Sequence, residues 1–317
     1  MGEFNLNFRF ARSAFSFLLD EFKIYLLRRL TISSLPIFLR GKDRISFGPL
    51  ANGDHESHVN ALINGVAAAG YSDFLIDIGA NIGLTSCQSG NNFQEVHMYE
   101  PNPLCCKILE VNSSISLNTP FFVHPFGLGS VAGSMKLMVP KDNWGGAFLV
   151  DEQNSYSAEV LAKKDGYKGI YESNYIAVTV QIKDGEVELS RLFSSLLKYE
   201  RTSGVIKIDA EGFEPVILAA ISSVLPPEFQ VVVIYESWCA GQTKSAKPLF
   251  EGRSRFFSFR QVNSWKAKWP RWLKAVLLLL RGSYRYMLVC AEADEVPGEM
   301  VLVVDRLPIQ ADSLRQT

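Results

Sequence analysis

Five short runs of almost uninterrupted apolar residues constrain the fold more than any other feature of this chain. They are 74–78 (FLIDI), 96–99 (VHMY), 121–123 (FFV), 205–208 (VIKI) and 231–235 (VVVIY), separated by helix-like or mixed segments. Strands that are apolar on both sides must be covered on both faces, which parallel sheets built from βαβ units achieve. Two further runs, 286–290 and 300–304, flank a turn signal of Asp294, Pro297 and Gly298, and read as a closing pair of reversed strands. The expectation is a seven-stranded, mostly parallel, Rossmann-like α/β domain from residue 71 to the C-terminus. With 317 residues and 47% hydrophobic composition, the chain is long enough to bury such a core.

Residues 1–70 are expected to form an N-terminal helical extension and connector. Phe8, Ala11, Phe15, Leu18, Phe22, Tyr25 and Leu26 make one helical stripe over about 4–30. Residues 33–53 are broken by Pro36, Gly41, Gly48, Pro49 and Gly53, and a second helix is expected over about 56–69. Asp20, Glu21 and Lys23 interrupt the first apolar stretch, which excludes a membrane span there; the run 275–280 is also too short for one. Five cysteines, an odd number without a C-x-x-C pair, argue against a disulfide framework or zinc site and for reduced thiols in the cytoplasm.

The stretch FLIDIGANIGLTS (74–86) joins a strand ending near Asp77 to a helix start through Gly79, Asn81 and Gly83. Glycines there allow a tight turn and a close approach of backbone to ligand. Glu100 follows Asp77 by 23 residues, about the interval at which a nucleotide-binding unit sets a carboxylate on ribose hydroxyls. Asn81 stands where a dinucleotide fingerprint has the glycine that makes room for a pyrophosphate. S-Adenosylmethionine has no phosphate, and Asn81 can hydrogen-bond its amino-acid end, so the turn favours that cofactor over NAD.

These residues resemble the FkbM family of methyltransferases. The resemblance rests on IDIGANIGLTS (76–86), YEPNP (99–103), FGLGSVAGSMKL (126–137) and VIKIDAEGFEPVIL (205–218), together about 150 residues. It implies a class I methyltransferase fold and O-methyl transfer from S-adenosylmethionine to a hydroxyl of a glycan, a polyketide or another hydroxylated metabolite. It also implies an adenine contact near Ser130.

Lys207, Asp209, Glu211 and Glu214 cluster around the end of the fourth strand, where open α/β sheets bind ligands. Strand alternation sets Lys207, Asp209 and Glu211 on one side, and Pro215 suits the first turn of the helix that follows. Methyl transfer to an alcohol needs the hydroxyl aligned and its proton removed. Asp209 is the first candidate for base or metal ligand, with Glu211 and Lys207 beside it. Asp209 and Glu236, at neighbouring strand ends, have the hard oxygens that would share Mg2+; the alternative is that the carboxylates cap the helix and pair with Lys207.

Between 140 and 182 lies a long polar insertion. Asn143 and Trp144 there suit a sugar face, or else form a surface loop with one packed tryptophan. His124 reads as a core residue, and His55 and His58 as an exposed helix start. Residues 252–291 hold nine Lys or Arg, three tryptophans and no acid, a composition suited to an anionic membrane surface or a lipid-linked glycan precursor and less to nucleic acid. An ordinary packed helix over 272–281 is the plain alternative. The acceptor expected is a cell-surface polysaccharide or its lipid-linked precursor, met in the cytoplasm or peripherally at the inner membrane. The competing readings are an NAD-dependent oxidoreductase and a cofactor-binding partner subunit without catalysis.

Overall fold

The computed structural model describes residues 14–32, 34–237, 250, 254–262, 285–290 and 298–304. Its centre is an eight-stranded sheet in the order β11 (Arg285–Cys290), β10 (Ser254–Val262), β12 (Gly298–Val304), β9 (Gln230–Ser237), β8 (Ser203–Ile208), β1 (Phe74–Ile78), β2 (Glu95–Tyr99) and β3 (Phe121–His124). The five runs read from the sequence are β1 (Phe74–Ile78), β2 (Glu95–Tyr99), β3 (Phe121–His124), β8 (Ser203–Ile208) and β9 (Gln230–Ser237), all mutually parallel. Alternation divides their side chains between two cores. Phe74, Ile76, Ile206, Val231 and Val233 face one, and Leu75, Val205, Val232 and Ile234 the other.

Helices cover both faces, as two-sided strands require. On one side α7 (Gly185–Lys198) buries Leu189, Leu192, Phe193 and Leu196, a stripe of helical period, with α8 (Glu214–Val224) beside it. On the other, α3 (Ser57–Ala68) supplies Val59, Leu62, Ile63 and Val66 to the core that also holds Leu75 and Val96. Next to α3 lie α4 (Leu84–Ser89) and α5 (Pro103–Ser116). The Asn102 side chain caps α5, accepting from the Leu104 N–H, with Pro103 in the first turn. Two further helices, α1 (Ala14–Leu30) and α2 (Phe47–Asn52), precede these. Among the described residues, no helix is long and apolar enough to cross a membrane.

Two expectations are corrected here. The runs near 286–290 and 300–304 are strands, β11 (Arg285–Cys290) and β12 (Gly298–Val304), but they do not pair with each other. Both pair antiparallel with β10 (Ser254–Val262), and β12 also pairs antiparallel with β9, giving eight strands where seven were expected. β10 lies inside the basic segment, and its Phe256, Phe257 and Phe259 are broken by Ser258 and flanked by Arg255 and Arg260, so it lacks the solid run that marks a two-sided strand.

The second correction concerns the polar insertion. It opens from a second sheet, ordered β4-β7-β5-β6, of β4 (Gly127–Gly129), β5 (Gly133–Pro140), β6 (Phe148–Leu149) and β7 (Tyr175–Asp184). β5 and β7 pair antiparallel from Gly133↔Ile182 to Pro140↔Tyr175, so residues 141–174 form a long excursion between two paired strands. The excursion carries β6 and α6 (Ala158–Lys164), whose N-terminus is capped by the Ser157 hydroxyl.

Asp73 ties the entry side of the main sheet together. Its Oδ2 accepts from the Thr202 and Ser203 N–H groups and the Ser203 hydroxyl at 2.8–3.0 Å, and its Oδ1 accepts from Gln94 Nε2 at 3.0 Å. Asp73→Ala leaves these donors unpaired at the junction of β1, β2 and β8. The expected cost is about 2 kcal/mol, read from denaturant unfolding.

Candidate active site

In the main sheet the chain runs outward from β1 to β2 and β3 on one side, while β8 and β9 lie on the other. Loops therefore splay apart at the carboxyl ends of β1 and β8, which is where an open α/β sheet forms its crevice. A cavity of about 220 Å3 lies there, walled by the turn after β1, the ends of β2, β8 and β9, and the 141–174 excursion.

The turn after β1 is left-handed at Gly79 (φ 84°), Asn81 (φ 51°) and Gly83 (φ 88°). A Cβ on Gly79 would stand 1.8 Å from the carbonyl oxygen of Asp209, so only glycine lets the two loops touch. Asp77 is fully buried; its Oδ2 accepts from the Ser86 hydroxyl at 2.7 Å, and its Oδ1 has no partner among the described residues. Burial raises its pKa, and the Lys207 ammonium works against that rise.

Glu100 is fixed to the same turn. Its Oε2 accepts from the Asn81 N–H at 2.9 Å and its Oε1 from the Asn102 N–H at 2.7 Å. Burial pushes its carboxyl up to about 7 despite those bonds. Asn81 also lines the cavity, and its Oδ1 is buried without a partner among the described residues.

The second carboxylate cluster closes the opposite wall. β8 ends at Ile208, so strand alternation carries only as far as Lys207, while Asp209 and Glu211 lie in the turn beyond. They converge all the same: Asp209, Glu211 and Glu236 each bring an oxygen within 4.8 Å of the others. Lys207 Nζ stands 3.3 Å from Asp209 Oδ2. Lys164 Nζ, from the end of α6, stands 2.6 Å from both Glu211 Oε2 and Glu236 Oε2.

The charges set one another's proton affinities. Burial alone would favour neutral Lys207 and Lys164, but the surrounding carboxylates outweigh it and raise both. Burial would likewise raise Asp209; Lys207 and Lys164 reverse this, and its carboxyl is held below the ordinary range. Glu211 is pushed well up by burial, which Lys164 opposes and the neighbouring Asp209 and Glu236 reinforce.

Glu214 has a different task. Its two carboxylate oxygens accept from the Ala210 and Gly212 N–H groups at 2.9 Å each, holding the turn in which Glu211 (φ 46°) and Gly212 (φ 104°) are left-handed. This is not the helix capping expected from the sequence, because both donors precede α8; Glu214 braces the turn instead. The excursion grips the same turn, with Asn154 Nδ2 donating to the Glu211 carbonyl and the Ser155 hydroxyl to the Gly212 carbonyl.

Asn143 and Trp144 also line the cavity. Asn143 Nδ2 donates to Asp165 at 3.0 Å, leaving its buried Oδ1 without a partner among the described residues. Trp144 is not an open platform: the Arg40 guanidinium lies 4.3 Å from its ring, and its main-chain N–H donates to Asp43, while its indole N–H is buried without a partner among the described residues. Ser130 is exposed, bonds Gln153 and does not line the cavity; Gly127 and Leu128 do so instead.

His55 and Glu56, from the connector, are on the cavity wall, whereas His58 stacks on Tyr286 at 4.2 Å. His124 lies in an aromatic stack with Tyr99 and His97. The basic tryptophan segment lies outside the described residues, apart from β10 and β11. The site residues that sequence reasoning missed are therefore Lys164, His55 and Glu56.

No protein-family model matches the chain, and no curated protein matches it. Among solved structures, it is similar to an O-methyltransferase from Bacillus cereus solved with SAH (11% identity, 92% of this chain and 91% of that one, TM-score 0.38). It is also similar to a SAM-dependent methyltransferase from Agrobacterium tumefaciens (9% identity, 79% and 61%, TM-score 0.37). A third is a precorrin-6y C5,15-methyltransferase from Geobacter metallireducens (10% identity, 80% and 89%, TM-score 0.37). Likenesses of this degree say nothing of what this chain does.

Glu100 and Glu214, both pushed from 4.5 up to about 7, predict a pH dependence. The folded chain holds these protons more tightly than the unfolded one. Their contribution to stability is therefore complete below about 4.5 and lost as pH climbs through about 7. Denaturant unfolding between pH 5 and 8 is expected to show a steeper loss of stability with pH in the wild type than in Glu214→Gln.

Proposed function

We propose that this cavity binds S-adenosylmethionine and that the chain transfers its methyl group to a hydroxyl, as the resemblance to FkbM methyltransferases implies. The observation that carries the reading is the set of unpaired acceptors around the cavity. Asp77 Oδ1, Asn81 Oδ1 and Asn143 Oδ1 are buried on residues lining it and lack partners among the described residues. Buried polar groups are paired as a rule, so three such acceptors against one such donor, the Trp144 indole N–H, suit a ligand rich in donors. The methionine end of the cofactor carries an ammonium with three N–H groups, and its ribose offers two hydroxyls to Glu100. A pyrophosphate carries only acceptors and negative charge, which this wall would repel. NAD is the weaker reading for that reason.

When bound, the cofactor supplies an electrophilic methyl group on a sulfonium. The protein's residues hold and deprotonate the acceptor. Asp209 is the most exposed of the three carboxylates, at 31% of its side chain against 6% for Glu211 and 23% for Glu236. Held ionised by Lys207 and Lys164, it is the group placed to align a hydroxyl and accept its proton. Alternating carboxylates and ammoniums offer both acceptors and donors, which suits a polyhydroxylated acceptor such as a sugar.

We further propose that α1 rests on an anionic membrane surface, bringing the enzyme to a lipid-linked glycan. Phe15, Leu18, Phe22, Tyr25 and Leu30 follow a helical stripe and are 55–76% exposed. Arg28 and Arg29 lie in the final turn of the same helix, while Lys23 is paired with Asp20. Sedimentation with vesicles containing phosphatidylglycerol is expected to carry the wild type down, and Leu18→Asp/Phe22→Asp much less. Equal recovery of both, or a dimer that dissociates in the double variant, would refute membrane docking.

Calorimetry tests the cofactor. S-Adenosylhomocysteine is expected to bind, with Glu100→Ala weakening it about tenfold or more through lost charge-assisted hydrogen bonds. Tight NAD binding without a response to S-adenosylhomocysteine sinks the proposal.

A further inference from the structure

We propose that Lys164 is the positioning residue of the acceptor site, its ammonium standing where a divalent cation would otherwise bridge Asp209, Glu211 and Glu236. The role rests on reading this wall as the acceptor side of a methyltransferase; the cation argument does not. Three carboxylates with oxygens within 4.8 Å of one another would ordinarily call for a metal ion. Mg2+ holds carboxylate oxygens at about 2.0–2.1 Å and Ca2+ at about 2.3–2.6 Å. Lys164 Nζ already stands 2.6 Å from an oxygen of Glu211 and one of Glu236. A metal ion bonded to those same two oxygens would overlap the nitrogen and be repelled by its charge. The cluster does not fit Mg2+ with Lys164 in place.

Lys164 is not a wandering surface lysine. Its side chain is 17% exposed. The next residue, Asp165, is tied down on three sides: Oδ1 accepts from Asn143, Oδ2 from the Tyr175 hydroxyl at 2.8 Å, and its carbonyl from Arg44 at 2.8 Å. The excursion is fastened to the carboxylate turn itself by Asn154, which bridges the Leu149 and Glu211 carbonyls, and by Ser155. The backbone that carries the ammonium is thus held in place beside its two carboxylates. An ammonium also donates along fixed directions, so it sets the orientation of Glu211 and Glu236 relative to Asp209 in a way that a spherical ion would not.

The test uses Mn2+ as probe, followed by electron paramagnetic resonance and calorimetry on the full chain. Wild type and Lys164→Arg are expected to bind Mn2+ at these carboxylates no tighter than about 1 mM. Lys164→Ala and Lys164→Met, folded by circular dichroism, are expected to bind it at least tenfold more tightly, and adding Asp209→Asn is expected to abolish the gain. S-Adenosylhomocysteine affinity is expected to stay within twofold throughout, since Lys164 acts on the far wall. Micromolar Mn2+ binding by the wild type that Asp209→Asn removes would overturn the proposal, and this arm needs neither Lys164 variant to fold. A folded Ala or Met variant with wild-type Mn2+ affinity would overturn it as well. A wild-type chain that fails to bind S-adenosylhomocysteine would refute the methyltransferase reading and leave the cation result standing.

Discussion

The site depends on one backbone contact. As β1 and β8 leave the sheet side by side, the Asp209 N–H donates to the Ile78 carbonyl at 2.8 Å, and the Asp209 carbonyl comes so close to Gly79 that no side chain fits between them. That approach welds the glycine turn to the carboxylate turn. Everything on the wall beside β1 hangs from the first: Asn81 reaches Glu100 through its backbone, and Glu100 in turn holds Asn102 at the start of α5. Everything on the opposite wall hangs from the second, through Glu214 and the residues of the excursion that clasp Glu211 and Gly212.

Electrostatics gives the two walls different characters. Asp77 and Glu100 are buried among backbone donors, and their proton affinities rise for want of solvent. Across the cavity, two lysines are interleaved with three carboxylates, so each charge is stabilised by neighbours. Buried charges persist only when paired, and the second wall satisfies that rule internally.

What could be read from the sequence was local. The five parallel strands, the glycine turn, Glu100 at its interval and the proline that opens α8 are signals contained within a few tens of residues. β10 escaped because its three phenylalanines are broken by a serine and flanked by arginines, and a pattern that short inside a basic stretch does not announce a strand. β11 and β12 were found but given the wrong partner, since nothing local says which strand lies between them. Lys164 left no trace at all: its partners are 47 and 72 residues away, and only the folding-back of the excursion brings them together. Trp144 looked like an open face because Arg40, which covers it, belongs to the connector before the domain.

The excursion between β5 and β7 enters and leaves through one antiparallel pair and meets the turn after β8 in two ways. Asn154 and Ser155 donate to main-chain carbonyls, bonds indifferent to the side chains of that turn, whereas the Lys164 ammonium needs the carboxylates of Glu211 and Glu236. Away from those three residues the segment can change its length and lining without disturbing the β1 and β2 loops. One wall of the cavity can thus be reshaped while the other keeps its geometry.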